Sequence, residues 1–136
     1  MKTEIREAWQ DALLSGLYNQ TRGTLSLRDE NGYCCLGVLC EVGIERGMPI
    51  VRYLDNEAND YWSYRAEFED DGAAGTLTPG LLELFDLEDK VQMQLAEWND
   101  DGEERVTNEG EANERYELSP PLTFEEIAER LEEMVE

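Results

Sequence analysis

The chain has 136 residues, of which 40% are hydrophobic, and 33 acidic residues against 11 basic ones give it a formal charge of -22. This length suits one domain that buries roughly two-thirds of the surface of its unfolded chain, so we expect a single domain over residues 1–136. A charge of this sign repels nucleic acids and anionic membranes and attracts basic partners.

The acidic residues are spread along the whole sequence, and this distribution has two interpretations. They are typical of a protein that fills the cleft of a nucleic-acid-binding protein as a decoy, and equally of a surface adapted to high salt. The segment Met1–Glu7 is charged where a signal peptide requires an apolar run. No segment approaches the roughly 20 apolar residues that span a bilayer, so we expect a cytoplasmic protein.

The first predicted element is an amphipathic helix at the N-terminus. Thr3 is suited to cap it, apolar residues recur at every fourth position, and Ser15-Gly16 ends it. A strand is predicted next, because Leu25 and Leu27 alternate with polar residues. The turn residues Asn31-Gly32 then lead the chain into its most apolar stretch.

Residues 33–44 are the most apolar twelve in the chain and contain all three cysteines, Cys34, Cys35 and Cys40. We predict a helix from Cys35 to Arg46 that is buried, because it is apolar on nearly every side. Three cysteines cannot all pair with one another. Reduced thiols that pack in a core are therefore expected, rather than a disulfide framework.

The middle of the chain predicts strands. Ile50–Leu54 is a short candidate, and Tyr61–Phe68 is a better one because Trp62, Tyr64, Ala66 and Phe68 fall on one side. Gly75–Leu77 is interpreted as a returning partner strand. These segments predict a small antiparallel sheet around Leu25, Tyr53, Tyr64 and Leu77.

The sequence of the C-terminal half predicts helices separated by an acidic excursion, a polar segment at about 103–119 that extends into solvent, with a hairpin tip at Glu109-Gly110. Thr78-Pro79 is an N-cap followed by a proline at the first helical position. A further helix is favoured over Gln92–Trp98, and a capping box at Thr123 opens the last one. The fold class predicted is α+β, a single small domain with a central buried helix, a small antiparallel sheet and flanking N- and C-terminal helices.

One group of motifs resembles a known family. Trp9 and Gln20, the string from Tyr33 to Cys40 (Tyr-Cys-Cys-Leu-Gly-Val-Leu-Cys) and the segment Asn99–Gly102 are similar to a family of small uncharacterised proteins of tailed phages and prophages. The resemblance implies a viral or prophage origin, with the cytoplasm of a host cell as the compartment. It implies no particular chemistry.

The chain contains no histidine, which excludes Ser-His-Asp and Cys-His catalysis and histidine-containing zinc sites. A thiolate at Cys34 or Cys35 would lack a base, and burial would raise its pKa. The calcium-loop template fits Glu97, Asn99 and Asp101 but puts Asn108 where a bidentate Glu is required. We therefore predict no catalytic residue, no metal site and no cofactor.

The scarce cations are the more informative candidates for binding. If they converge beside an aromatic wall, they would hold a small anion such as a nucleotide. The predicted ligand-binding residues are Tyr18, Gln20, Arg22, Arg28, Arg52, Trp62 and Arg65. The alternative is that each arginine pairs with a neighbouring carboxylate, which contributes roughly 0–1 kcal/mol at an exposed site.

The leading functional hypothesis is a non-catalytic phage accessory protein that binds a host protein with a basic surface, as an acidic inhibitor of a defence or nucleic-acid-handling protein. One alternative is an anti-defence protein that sequesters a small nucleotide signal. The other is a carboxylate- and metal-dependent phosphoesterase. Neither direct nucleic-acid binding nor membrane association is expected.

Overall fold

The computed structural model describes residues 1–28, 31–102, 104–108, 114–118 and 120–135, with residues 104–108 and 114–118 described by their backbone. The helices are α1 (Thr3–Leu14), α2 (Cys35–Glu45), α3 (Pro79–Phe85), α4 (Asp89–Asp100) and α5 (Phe124–Met134). The strands are β1 (Asn19–Gln20), β2 (Gly32–Tyr33), β3 (Ile50–Tyr53), β4 (Ser63–Ala66), β5 (Glu104–Asn108) and β6 (Glu114–Leu118). The predicted α+β fold class is confirmed.

Helix α2 forms the centre of the hydrophobic core. Its residues from Cys35 to Gly43 are buried, and it packs against α1, α4 and β3, while α5 packs on α1 and α4. The predicted helix is confirmed, although it ends at Glu45 and Arg46 is its C-cap. The three cysteines are free and buried, as predicted.

Local capping explains where two other helices begin. The Thr78 hydroxyl accepts a hydrogen bond from the Leu81 amide at 3.2 Å, and Pro79 occupies the first turn of α3. At the start of α5 the Thr123 hydroxyl and the Glu126 carboxylate each accept the other residue's amide hydrogen at 3.2 Å. The predicted caps at Thr78 and Thr123 are confirmed, and each satisfies backbone groups that the first helical turn leaves without partners. The cap predicted at Thr3 is wrong, because Lys2 is the N-cap of α1 and its side chain makes no capping hydrogen bond.

The strands form three separate pairs instead of the predicted four-segment sheet. β1 pairs with β2 in parallel, β3 pairs with β4 antiparallel, and β5 pairs with β6 antiparallel. The β5–β6 pair confirms the predicted hairpin strands, whereas the predicted tip at Glu109-Gly110 lies outside the described residues. In the β3–β4 pair, Val51 lies opposite Arg65 and Arg52 opposite Tyr64.

The predicted strands at Leu25 and Leu77 are wrong. The Leu25 segment makes only isolated bridges. The Leu25 amide donates to the Ala74 carbonyl at 2.7 Å, and the Leu25 carbonyl accepts from the Cys34 amide at 3.2 Å, so its two backbone groups bond to different parts of the chain. The Leu77 amide donates to the Gln92 side chain at 3.0 Å, so it is not available for a ladder. Ala73, rather than Leu77, bridges to Tyr64.

The inward position predicted for Phe68 is also wrong. Strand β4 ends at Ala66, and the turn that follows leaves Phe68 61% exposed. Ser63, which the alternation places outward, is buried, and its hydroxyl donates to the Asp55 carboxylate at 3.3 Å. No helix within the described ranges is long and apolar enough to cross a membrane.

Candidate functional site

A buried carboxylate lies on α2 and binds Arg52, one of the predicted binding residues. Glu41 is the charged residue in the buried part of α2, from Cys35 to Gly43, and its side chain is 11% exposed. A buried charge requires a partner. Arg52 donates to its Oε1 at 2.6 Å, and the Tyr64 hydroxyl donates to the same oxygen at 3.3 Å. The Arg52 guanidinium lies over the Trp62 ring, 4.7 Å from its centroid, while Tyr18 meets Tyr33 edge-on at 4.9 Å.

The ionisation of this cluster does not suit proton transfer at neutral pH. Burial raises the pKa of the Tyr33 and Tyr64 phenols, and the negative charge of Glu41 raises it further. Burial lowers the pKa of Arg52, but the Glu41 carboxylate outweighs that effect and raises it. The phenols therefore stay protonated and the guanidinium stays charged, so the cluster is a closed structural pair rather than an acid–base site.

Gln20 lies in a different polar cluster that joins distant parts of the chain. Its side-chain amide donates to Asn99 Oδ1 at 2.9 Å and to the Leu122 carbonyl at 2.7 Å. Asn99 is fully buried and also accepts from the Cys35 amide at 3.2 Å. The Gln20 side chain therefore holds the N-terminal loop against α4 and the segment before α5.

The remaining predicted arginines are not brought together. Arg28 donates to the Glu57 carbonyl at 2.6 Å, and Arg65 donates to the carbonyls of Glu67 at 3.2 Å and Glu69 at 2.9 Å. Arg22 is exposed on the loop before Leu25.

Arg65 on β4 lies opposite Val51, the neighbour of Arg52 on β3. Because successive residues of a strand point to opposite faces, the two arginines lie on opposite faces of the β3–β4 pair. The convergence on which the anion site depends is thus absent among these described residues, and their ligand-binding role stays a prediction.

The three thiols are not nucleophiles at neutral pH. Burial raises the pKa of Cys34 to about 11, and it raises the pKa of Cys35 and Cys40 well above the ordinary value. Cys35 Sγ lies 3.7 Å from the Leu95 carbonyl, to which it donates a weak hydrogen bond. Although Cys34 and Cys35 lie at the start of α2, desolvation outweighs any stabilisation of a thiolate there.

We therefore expect the native protein to resist alkylation by iodoacetamide at pH 7 to 8. Under conditions that fully label a free thiol standard, intact-mass measurement should find no carbamidomethyl group on the native chain and three after unfolding in denaturant. Rapid labelling confined to Cys34 would contradict this assignment, because it would require an accessible thiolate.

The described residues contain no group of three histidine, cysteine, aspartate or glutamate side chains that could hold a metal ion. Glu97 and Asn99 lie within α4 rather than in a loop, and the Asn99 side chain is occupied by hydrogen bonds. The first part of the partial calcium-loop match therefore lies in a helix, and its last position, Asn108, lies in β5.

An open groove of about 510 Å³ lies between α1 and α5 and was not predicted. Glu7 and Asp11 of α1 and Glu129 and Glu132 of α5 line it, and its other lining residues are Gln10, Leu14 and Ala128. We call this surface the acidic groove.

Gln10 donates to the Ala128 carbonyl at 2.9 Å across the floor of the acidic groove, and Leu14 is 54% exposed. Among the residues that the structure describes, four carboxylates and no cation line it. The signal in the sequence is the i,i+4 spacing of Glu7 and Asp11 and the i,i+3 spacing of Glu129 and Glu132, which places each pair on one helix face.

Fold and surface together define a small α+β protein whose described residues present a closed core, no metal cluster and an acidic groove. The chain belongs to the family described as Domain of unknown function (DUF8296), whose model matches residues 1–135. Comparisons with curated proteins and with solved structures found no match. The expectation that the chain belongs to an uncharacterised family is confirmed.

Proposed function

We propose that this protein is a non-catalytic accessory protein that binds a basic partner protein through the acidic groove. The observation that carries the proposal is the groove itself, where four carboxylates from two helices face a partly exposed leucine with no cation among the lining residues. Cationic side chains of a partner would neutralise the carboxylates, and an apolar side chain would cover Leu14.

Electrostatics favour a partner over an empty groove. Like charges at i,i+3 or i,i+4 on one helix destabilise it by roughly 0.2–0.5 kcal/mol a pair. A bound cationic segment removes this repulsion, and the net charge of -22 attracts such a segment from a distance. The association should weaken steeply as salt screens both effects.

We also propose a phage or prophage origin, in which case the partner is a host protein and the role is inhibition of a defence or nucleic-acid-handling protein. The support for this origin is the resemblance of the Tyr33–Cys40 string. The nucleotide-sequestering alternative has less support, because Arg28, Arg52 and Arg65 donate to groups of the chain itself. A metal-dependent phosphoesterase has less still, since the described residues hold no carboxylate cluster suited to a metal.

A matched pair of variants tests the acidic groove. The groove variant carries Glu7→Gln, Asp11→Asn, Glu129→Gln and Glu132→Gln. The control variant changes the same number of exposed carboxylates elsewhere, with Glu57→Gln, Glu67→Gln, Glu83→Gln and Asp70→Asn. Both lose four negative charges, so a difference between them reports the position of the charges and not their number.

Host-lysate proteins retained at low salt are identified by mass spectrometry, and each candidate is purified and titrated by calorimetry. We expect a basic protein that binds the wild type and the control variant with similar affinity and binds the groove variant at least about tenfold more weakly, a loss of about 1.4 kcal/mol. Equal retention by both variants would show nonspecific attraction to the net charge, and retention of no basic protein at low salt would refute the proposal.

A further inference from the structure

A second depression lies where the start of α1 meets the ends of α2 and α3. Its volume is about 380 Å³, and its residues are Lys2, Glu4, Ile5, Arg46, Met48, Leu84, Phe85 and Asp86. We call it the α1–α3 cavity. Its size lies near the lower end of the roughly 300–1,000 Å³ range of small-molecule sites.

The wall of the α1–α3 cavity is apolar. Phe85 is only 2% exposed, while Ile5, Met48 and Leu84 are half-buried around it. These four side chains come from three separate parts of the fold, so the apolar wall is formed by the packing of α1 and α3 with the turn after α2. A ligand with an apolar body would gain about 25 cal/mol for each Å² of apolar surface that it buries there.

Two of the scarce cations stand at the rim of the same cavity. Lys2 precedes α1, and Arg46 caps the end of α2. No carboxylate within the described ranges lies at salt-bridge distance from either of them. Asp86, one of the two rim carboxylates, instead accepts from the Met1 amino group at 3.2 Å. Because acidic residues outnumber basic ones threefold, cations left free beside an apolar wall are the distinctive feature here.

We propose that the α1–α3 cavity binds a small monoanion with an apolar body, an aliphatic or aromatic carboxylate, whose acid group lies between Lys2 and Arg46 and whose body covers Ile5, Met48 and Leu84. Charge-assisted hydrogen bonds from the two cations fix the acid group. Polyanions such as nucleic acids are repelled by the rest of the chain, whereas a monoanion loses little to that long-range field and gains from burial. This site is independent of the acidic groove.

The experiment titrates octanoate by calorimetry and, in parallel, displaces the fluorescent probe 8-anilinonaphthalene-1-sulfonate with octanoate. We expect saturable binding of one octanoate and weaker binding of the neutral isostere octanol. The double variant Lys2→Gln, Arg46→Gln should lose at least about tenfold in octanoate affinity. Lys90→Gln, which removes an exposed cation outside the cavity, should leave the affinity unchanged.

All the substituted side chains are exposed, so circular dichroism and thermal unfolding should show that each variant folds as the wild type does. Absence of saturable octanoate binding to the wild type would overturn the proposal. Equal octanoate affinity of the double variant and the wild type would also overturn it, because the cations would then play no part.

Discussion

Replacing Gly37 by alanine should abolish the native fold or lower the free energy of unfolding by more than about 3 kcal/mol, above the usual cost of overpacking a core. A Cβ atom at this position would lie 1.7 Å from the Leu25 carbonyl oxygen and 2.6 Å from its carbon. Both are backbone atoms, and the same oxygen accepts the Cys34 amide. Because α1, α4 and β3 pack around α2, the helix and the Leu25 segment have no room to move apart.

The measurement for Gly37→Ala is denaturant unfolding followed by circular dichroism, together with the yield of soluble protein. Gly75→Ala is the matched control, because a Cβ there would meet nothing closer than the Gly23 carbonyl oxygen at 3.8 Å. The control should unfold within about 1 kcal/mol of the wild type. A Gly37→Ala protein with the wild-type midpoint would show that α2 and the Leu25 segment are not in contact.

The starts of α3 and α5 were predictable because their signals are local. Thr78 and Thr123 contact amides only three residues ahead, so the sequence alone contains both partners of each cap. Burial of α2 was equally predictable, because the helix has apolar residues on nearly every side and no polar face suited to contact water. The helix ends one residue before the predicted Arg46.

Two of the four predicted strand segments form the antiparallel β3–β4 pair. The other two, at Leu25 and Leu77, could not be assigned from alternation, because their hydrogen-bond partners are distant in sequence. Leu25 and Leu77 have strand-like neighbours, yet their backbone groups bond to Ala74 and to the side chain of Gln92. A period of two indicates which side of a segment is apolar, but it does not say which backbone satisfies the segment's amides. The hydrogen-bond partners are determined by how the loop that contains Leu25 packs against α2.

The residues of the candidate site could be recognised in the sequence, but their partners could not. The arginines are few and so were visible in the sequence, but their partners, Glu41 for Arg52 and the Glu57 carbonyl for Arg28, lie 11 and 29 residues away. The two acidic pairs of the groove could be recognised on their helices. That α1 and α5 place them around one groove depends on tertiary packing that spans almost the whole chain.

The residues that carry the family resemblance meet at the start of α2. The Trp9 indole donates to the Cys35 carbonyl at 2.8 Å, and the Cys35 amide donates to Asn99 at 3.2 Å. Gly37 lies against Leu25 in the next turn. These residues therefore hold the central helix in place, which is a structural role.

The fastening of α2 by Asn99 leads to the other large expected effect. Asn99 is fully buried; its Oδ1 accepts from Gln20 and Cys35, and its Nδ2 donates to the Thr21 carbonyl at 2.8 Å. Asn99→Ala leaves the Cys35 amide and the Thr21 carbonyl without these partners, so urea unfolding should show a loss of about 3 kcal/mol. Asn59→Ala, in the loop between β3 and β4, is the control and should cost less than about 1 kcal/mol. Equal losses in the two variants would mean that the buried amide does not fasten α2 to the N-terminal loop.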